Sequence, residues 1–384
     1  MRKLKICYIG WAYSIHLQRF AGWFAKRGHE ITLITDRYSP IDGVKQYEVD
    51  SHKFRNKRIE YVYNYFYYNF KLFRRLSNLA KIRTIIKKEN PDIIHLHTLY
   101  FPAQLGVFTR RRPLIVMPWN GDIIWKKNRS IFRPILVRYA LWKADVISAQ
   151  TEYLREQCIV KYGARPDKIN IIQFGVELDK FKKDIKEDKL RNDLQLNDNS
   201  IAISTRNISY NVLNIVRAIP YVIKQIPNAR FIFIWPPNDP LETELKDLVD
   251  RLKISKCVRL IGSVDREKIP SYLSIADVFV SISLIETFPQ SVLEAMAMGV
   301  IPVMGDIPPI KVYLEDNFNG FLVEPENISE IAAGIVKAIE MDEATKQVFI
   351  ERNLNIVKEK ADFTKEMEKM ERLYYRLVPG KVFA

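Results

Sequence analysis

The 384-residue sequence lacks most of the marks that would assign it quickly. Its three cysteines, Cys7, Cys158 and Cys257, lie too far apart for a disulfide framework or a metal-ligand spacing. That excludes a stapled secreted scaffold and points to a reducing, cytoplasmic setting. No run of about 18 apolar residues occurs, so no membrane-crossing helix is expected. The apolar part of the opening MRKLKICYIGW is too short for a signal peptide and reads as a first strand. No two glycines stand two apart, which excludes the dinucleotide fingerprint G-x-G-x-x-G, and no P-loop is present. There is no D-x-D pair, so a carboxylate-held metal has no obvious ligands. Repeats and low-complexity segments are also missing.

What is present suits two globular domains: 47% hydrophobic and 27% charged residues. The net charge of +15 is unevenly spread. Residues 1–175 carry 32 Lys and Arg against 13 Asp and Glu, and the remainder carries 28 against 32. A basic half can face nucleic acid, an anionic membrane surface or a phosphorylated substrate. Within it, residues 53–88 hold eleven Lys and Arg and one acid, Glu60, with nine aromatics between Phe54 and Phe73. That mixture suits a bilayer interface or single-stranded nucleic acid. It is also compatible with a plain core stripe, Leu72, Leu76, Leu79, Ile82, Ile85 and Ile86, under a solvated basic face.

The chain opens as a βαβ unit: strand Lys5–Gly10, a helix with Leu17, Phe20, Ala21 and Phe24 on one face, and strand Ile31–Thr35. Gly10 with Trp11 and Ala12 forms a turn that a ligand can approach, and His16 and His29 read as helix-start and turn residues. His95 and His97 stand two apart at a strand's carboxyl end, where open α/β sheets bind ligands. Trp142–Thr151 and Ile169–Val176 read as the last two strands of the first domain. The segment from Gly175 to about Lys183 reads as a linker, and Phe363–Leu377 as a helix with Met367, Met370, Leu373 and Tyr374 on one face.

The rest is organised around Asp277–Val303. Val278–Ile282 reads as a buried strand. Thr287–Gln290 matches a helix capping box with Pro289 in the first turn, and Gly299 supplies a left-handed stop. Two carboxylates interrupt this apolar stretch. Glu286 lies beside the helix start, where unpaired N–H groups favour anions, and Glu294 lies about two turns further on. Both can accept hydrogen bonds from sugar hydroxyls, and both can equally be ordinary helix residues.

The segment E-T-F-P-Q-S-V-L-E-A-M-A-M-G-V-I-P-V from Glu286 to Val303 resembles the E-x7-E segment of retaining glycosyltransferases of family 4, the glycogen-synthase-like group. The resemblance implies an α/β chain of GT-B fold, two Rossmann-like domains facing a cleft, with a C-terminal helix crossing back to the first domain. The expected boundaries are 1–175 for acceptor binding, 176–362 for nucleotide-sugar donor binding and 363–384 for the returning helix. It further implies that Glu286 contacts the donor sugar and Glu294 the nucleotide ribose. Arg206 and the helix N–H groups at Gln290 and Ser291 would hold the diphosphate, and Gly262–Ser263 would cradle the base. Thr287 and Phe288 complete the donor side. Asn211 stands where the family carries a Lys, Thr287 where it carries a Gly, and Trp119-Asn120-Gly121-Asp122 where it often has H-G-x-D. His97 matches a family histidine near the sugar, and Gly10, Trp11, His16 and Asp122 are the acceptor-side candidates.

The function implied is metal-independent, retaining transfer of a hexosyl group from a UDP- or GDP-sugar to a hydroxyl of a glycan or lipid-linked acceptor. Arg206, Glu286 and His97 are the catalytic candidates. No cofactor beyond the substrate and no nucleic-acid partner is expected, while contact with the inner membrane face through residues 53–88 is an option. A nucleotide-sugar epimerase of the same fold and a non-catalytic glycan- or nucleic-acid-binding protein are the alternatives.

Overall fold

The computed structural model describes residues 3–49, 71–124, 132–183, 188–196, 200–204, 211–234, 242–284, 286 and 288–378. The chain divides into two compact units, Met1–Gln173 with Glu366–Ala384, and Phe174–Lys365.

The first unit holds strands β1 (Lys5–Ile9), β2 (Glu30–Thr35), β3 (Val44–Glu48), β4 (Ile93–His97), β5 (Leu114–Met117), β6 (Val146–Ala149) and β7 (Ile169–Ile171). They form one parallel sheet in the order β3-β2-β1-β4-β5-β6-β7. The central strands are short apolar runs buried along nearly their whole length, as expected of a sheet covered on both faces by helices. Around it lie helices α1 (Ile15–Lys26), α2 (Lys71–Glu89), α3 (Phe132–Lys143) and α4 (Glu152–Tyr162). Helix α1 buries Leu17, Phe20, Ala21 and Phe24, the face its periodicity marks. Helix α2 buries Ile82, Ile85 and Ile86, but Leu76 is exposed, so the expected core stripe covers only its later turns. Residues 53–70 lie outside the described residues.

Trp142–Thr151 is not one strand. Helix α3 runs to Lys143, and β6 starts at Val146 because the Asp145 carboxylate takes the Leu114 N–H at 2.8 Å and pairs with Arg112, fixing the turn there. The next expected strand is likewise shorter and closes at Ile171.

The second unit carries β8 (Ile201–Ser204), β9 (Arg230–Ile234), β10 (Val258–Ile261), β11 (Val278–Ser281), β12 (Ile301–Gly305) and β13 (Phe321–Val323). These are parallel in the order β10-β9-β8-β11-β12-β13. Its longer helices are α5 (Val212–Gln225), α6 (Glu242–Arg251), α7 (Gln290–Ala297), α8 (Ile328–Ile339) and α9 (Glu343–Lys360). Helix α7 starts at Gln290, later than the expected capping box would place it. The N-cap is Pro289 with no side-chain cap, and the Gln290 side chain turns instead to the Gly175 carbonyl at 2.9 Å. Thr287 lies outside the described residues.

Helix α10 (Phe363–Leu377) buries Met367, Met370, Leu373 and Tyr374, and from Glu366 onward it belongs to the first unit. Glu371 anchors it there, accepting two hydrogen bonds from Arg27 at 3.0 and 2.9 Å and lying 2.9 Å from His29 Nε2. Arg27 and His29 hold this carboxyl below its ordinary value although burial pushes it up. Two Rossmann-like, parallel-sheet domains and a returning terminal helix are therefore present as the sequence implies. Among the described residues, no helix is long and apolar enough to cross a membrane.

Candidate active site

In an open parallel sheet, ligands collect beyond the carboxyl ends of the strands where strand order reverses. In the first unit that point lies between β1 and β4, and in the second between β8 and β11. The candidate residues gather at these two edges.

At the first edge Gly10 follows β1. A Cβ there would meet the His97 carbonyl at 3.0 Å and His97 Cβ at 3.1 Å, so any larger residue would press the two strand ends apart by a fraction of an ångström. Trp11 comes next, and its indole N–H donates to the Phe101 carbonyl at 2.7 Å. It stacks on Tyr13 and Tyr100, with ring centroids 6.0 and 5.6 Å apart, and meets Trp119 edge-on at 5.9 Å. His16 lies edge-on to Trp119 at 5.7 Å. Gly10, Trp11 and His16 are thus brought together within an aromatic assembly whose members Tyr13 and Tyr100 escaped the sequence reading. Their only signal was position, just beyond two strand ends.

Two of the residues expected at this edge lie inside the unit. His97 is fully buried, packed edge-on against Tyr8 and Phe20 at 5.2 and 5.1 Å, and both ring nitrogens lack a hydrogen-bond partner among the described residues. Burial lowers its pKa to about 3, so the ring is neutral within the packed unit. Asp122 is also buried, and its carboxylate is occupied by the protein. It accepts from the Leu99 and Trp119 N–H groups at 2.9 and 2.8 Å, from Thr98 Oγ1, and from Arg133 at 2.9 Å. It fastens the loops after β4 and β5 together and leaves nothing for an acceptor hydroxyl.

At the second edge Glu286 and Glu294 are both buried, in a segment otherwise packed with apolar residues. A buried carboxylate needs a partner. Glu294 Oε1 accepts from Arg266 at 2.7 Å and from Gln290 Nε2 at 2.7 Å, and Arg266 also reaches Glu177 at 3.4 Å. Burial lowers the Arg266 pKa, but the two carboxylates outweigh it and hold the guanidinium above its ordinary value. Arg266 was not foreseen. The only clue was its place four residues beyond Gly262, in the loop after β10.

Phe288 is buried, edge-on to Phe174 and Tyr313. The Gln290 N–H donates to the Phe288 carbonyl at 2.9 Å, which removes it from the pair of backbone donors expected for a diphosphate. The Gln290 Oε1 and the hydroxyls of Ser291, Ser204 and Ser281 are buried without a partner among the described residues. Asn211, at the position where the family carries a Lys, has its amide directed to the protein. It starts α5 in the left-handed region, φ 58°, which asparagine tolerates, and its amide donates to the Pro325 carbonyl at 2.7 Å. A Cβ at Gly262 would meet nothing within 4 Å, and Ser263 is exposed, so this loop is open. Arg206 and Thr287 lie outside the described residues. Among the described residues no group of three or more His, Cys, Asp or Glu is placed to hold a metal.

The comparisons with known proteins agree with this architecture. The model of the glycosyl transferases group 1 family matches residues 185–354, and that of glycosyltransferase family 4 matches residues 14–180. The chain is 25% identical to the UDP-Gal:alpha-D-GlcNAc-diphosphoundecaprenol alpha-1,3-galactosyltransferase of Escherichia coli, covering 82% of each. It is 24% identical to the alpha-monoglucosyldiacylglycerol synthase of Streptococcus pneumoniae, covering 82% of this chain and 72% of the relative. Among solved structures, Anabaena HepE in complex with UDP and glucose superposes with a TM-score of 0.80 at 18% identity, covering 97% of this chain and 100% of that one.

Proposed function

Because the chain belongs to glycosyltransferase family 4, we propose that it moves a hexosyl group from a nucleotide-diphosphate sugar to a hydroxyl of a glycan or lipid-linked acceptor, with retention at the anomeric carbon. The second unit takes the donor and the first the acceptor. One observation carries the donor assignment: beside two buried carboxylates, Glu286 and Glu294, the hydroxyls of Ser204, Ser281 and Ser291 and the Gln290 amide oxygen are buried and unspent. Leaving a buried polar group unsatisfied costs about 1–3 kcal/mol, so such a set is expected where a hydroxyl-rich ligand completes it.

The reaction must stabilise a departing diphosphate and an oxocarbenium-like centre. In this reading Arg206 meets the diphosphate, Glu286 accepts from the sugar hydroxyls and Glu294 from the ribose. Arg266 and Gln290, both donating to its Oε1, hold the Glu294 carboxylate in place. The aromatic assembly around Trp11 offers the acceptor a stacking surface. No metal is given a part. The relatives whose names specify a donor or an acceptor, UDP-Gal on one side and diphosphoundecaprenol or diacylglycerol on the other, favour a UDP-sugar and a lipid-linked hydroxyl.

The test is thermal stabilisation by a panel of UDP-, GDP- and ADP-sugars on the wild type and on Glu294→Gln. A shift with one nucleotide family that the variant loses supports the donor site and names the base. No shift with any of them overturns it.

A further inference from the structure

Helix α3 carries two apolar faces. Val137, Ala140 and Leu141 pack inward, while Phe132, Ile135 and Trp142, at helical spacing on the opposite side, are 72%, 66% and 69% exposed. Tyr139 lies between them, stacked on Phe108 at 5.6 Å and 5.9 Å from Trp142, so the outer row is continuous with the loop after β4. Beside Phe132 a hollow of about 540 Å³ opens between Phe108, Leu105 and Leu136, with Arg75 of α2 and Tyr100 also in its wall. Tyr100 also stacks on Trp11, so the hollow runs from the exposed row toward the aromatic assembly at the sheet's edge.

The charge around this row is mostly of one sign, Asp145 being paired with Arg112. Helix α2, residues 103–112 and α3 together hold thirteen Lys and Arg and a single acid, Glu89, which Lys45 and Tyr47 already occupy. Arg75, Lys87 and Arg110 make no hydrogen bond or ion pair among the described residues. Protein–protein interfaces surround an apolar centre with a rim of mixed charge. A row of Phe, Ile, Tyr and Trp edged mostly by cations, with Asp145 already paired to Arg112, fits a surface that is apolar within and anionic at its headgroups.

We propose that this face of the first unit, the outer side of α3 with Phe108 and the cations of α2 and residues 110–112, docks on an anionic lipid bilayer. Phe132, Ile135 and Trp142 enter the headgroup–acyl boundary, and Arg75, Lys87 and Arg110 meet lipid phosphates. The proposal deepens the lipid-linked acceptor reading and rests on it for its purpose, but its test needs neither donor nor turnover.

The full chain is floated with vesicles of phosphatidylcholine alone and of phosphatidylcholine with phosphatidylglycerol, at low and at moderate salt. Wild type is expected to float with the anionic vesicles only, and less as salt rises. Arg75→Gln with Lys87→Gln and Arg110→Gln is expected to weaken flotation about a hundredfold, each cation near an anionic surface being worth about fivefold. Phe132→Ser with Ile135→Ser and Trp142→Ser is expected to abolish it, with an unchanged unfolding midpoint showing that the variant folds. Wild type that stays in solution at low salt, or an apolar-row variant that floats like wild type, overturns the proposal. So does a wild-type dimer that the serine variant dissolves, since the face would then join two copies of the chain.

Discussion

Arg266 and Glu294, 28 positions apart in the chain, meet in a 2.7 Å charge-assisted hydrogen bond. The pair turns a buried carboxylate from a liability into a fixed feature. Removing one member of a buried pair costs more than the pair contributes, because the remaining charge stays desolvated. Arg266→Ala is therefore expected to destabilise the second unit by about 2 kcal/mol, the lower figure reflecting the guanidinium's partial exposure, and to weaken nucleotide-sugar binding as well. Urea unfolding with and without the stabilising sugar nucleotide separates the effects. Equal losses in both would show that Arg266 supports only the fold.

Gly175 sits at φ 65°, and a Cβ there would lie 2.5 Å from Phe363 Cα and 2.8 Å from its backbone nitrogen. Here Val176 donates to the Ala361 carbonyl at 2.7 Å and Phe363 to the Val176 carbonyl at 3.0 Å, leaving the two segments no room to part. Gly163 is a natural control, with φ 67° but nothing within 4 Å of an added Cβ. Gly163→Ala should cost about 1 kcal/mol from backbone strain alone. Gly175→Ala should cost about 3 kcal/mol or more, since backbone must also move. Matching unfolding midpoints for the two variants would refute the close approach.

Burial raises the Asp122 carboxyl to about 6 despite the hydrogen bonds from Trp119 and Leu99 and the nearby Arg133. The folded chain then keeps a proton that the unfolded chain releases between about pH 4 and 6. Over that window this group's contribution to stability falls as pH rises, by at most ~3 kcal/mol. Asp122→Asn removes the titration but leaves Arg133 without its carboxylate. The variant should be less stable than wild type at both ends of the window, and the gap should narrow toward pH 6. A gap that stays constant would place the carboxyl at its ordinary value.

The two-domain architecture was legible because it rests on short-range signals. Strands such as Ile93–His97 and Val278–Ser281 are apolar runs between turn residues, and the face of Phe363–Leu377 follows from spacing alone. The acids Glu286 and Glu294 were legible as interruptions of an apolar segment. The fates of His97 and Asp122 were not, because whether a polar side chain opens to solvent or is consumed inside depends on partners brought from other strands. Thr98, Leu99, Trp119 and Arg133 converge on Asp122 only once β4 and β5 lie side by side.

By itself, then, the sequence determined the order and type of elements, the charge asymmetry between the halves, and the pair of acids on the strand–helix unit, since periodicity and composition act locally along the chain. Only the tertiary structure decided that Arg266 holds Glu294, that Asn211 serves the Pro325 carbonyl, and that Phe132, Ile135 and Trp142 of α3 stand exposed. Those outcomes depend on which surfaces meet, and burial is a property of the folded neighbourhood, not of any one segment.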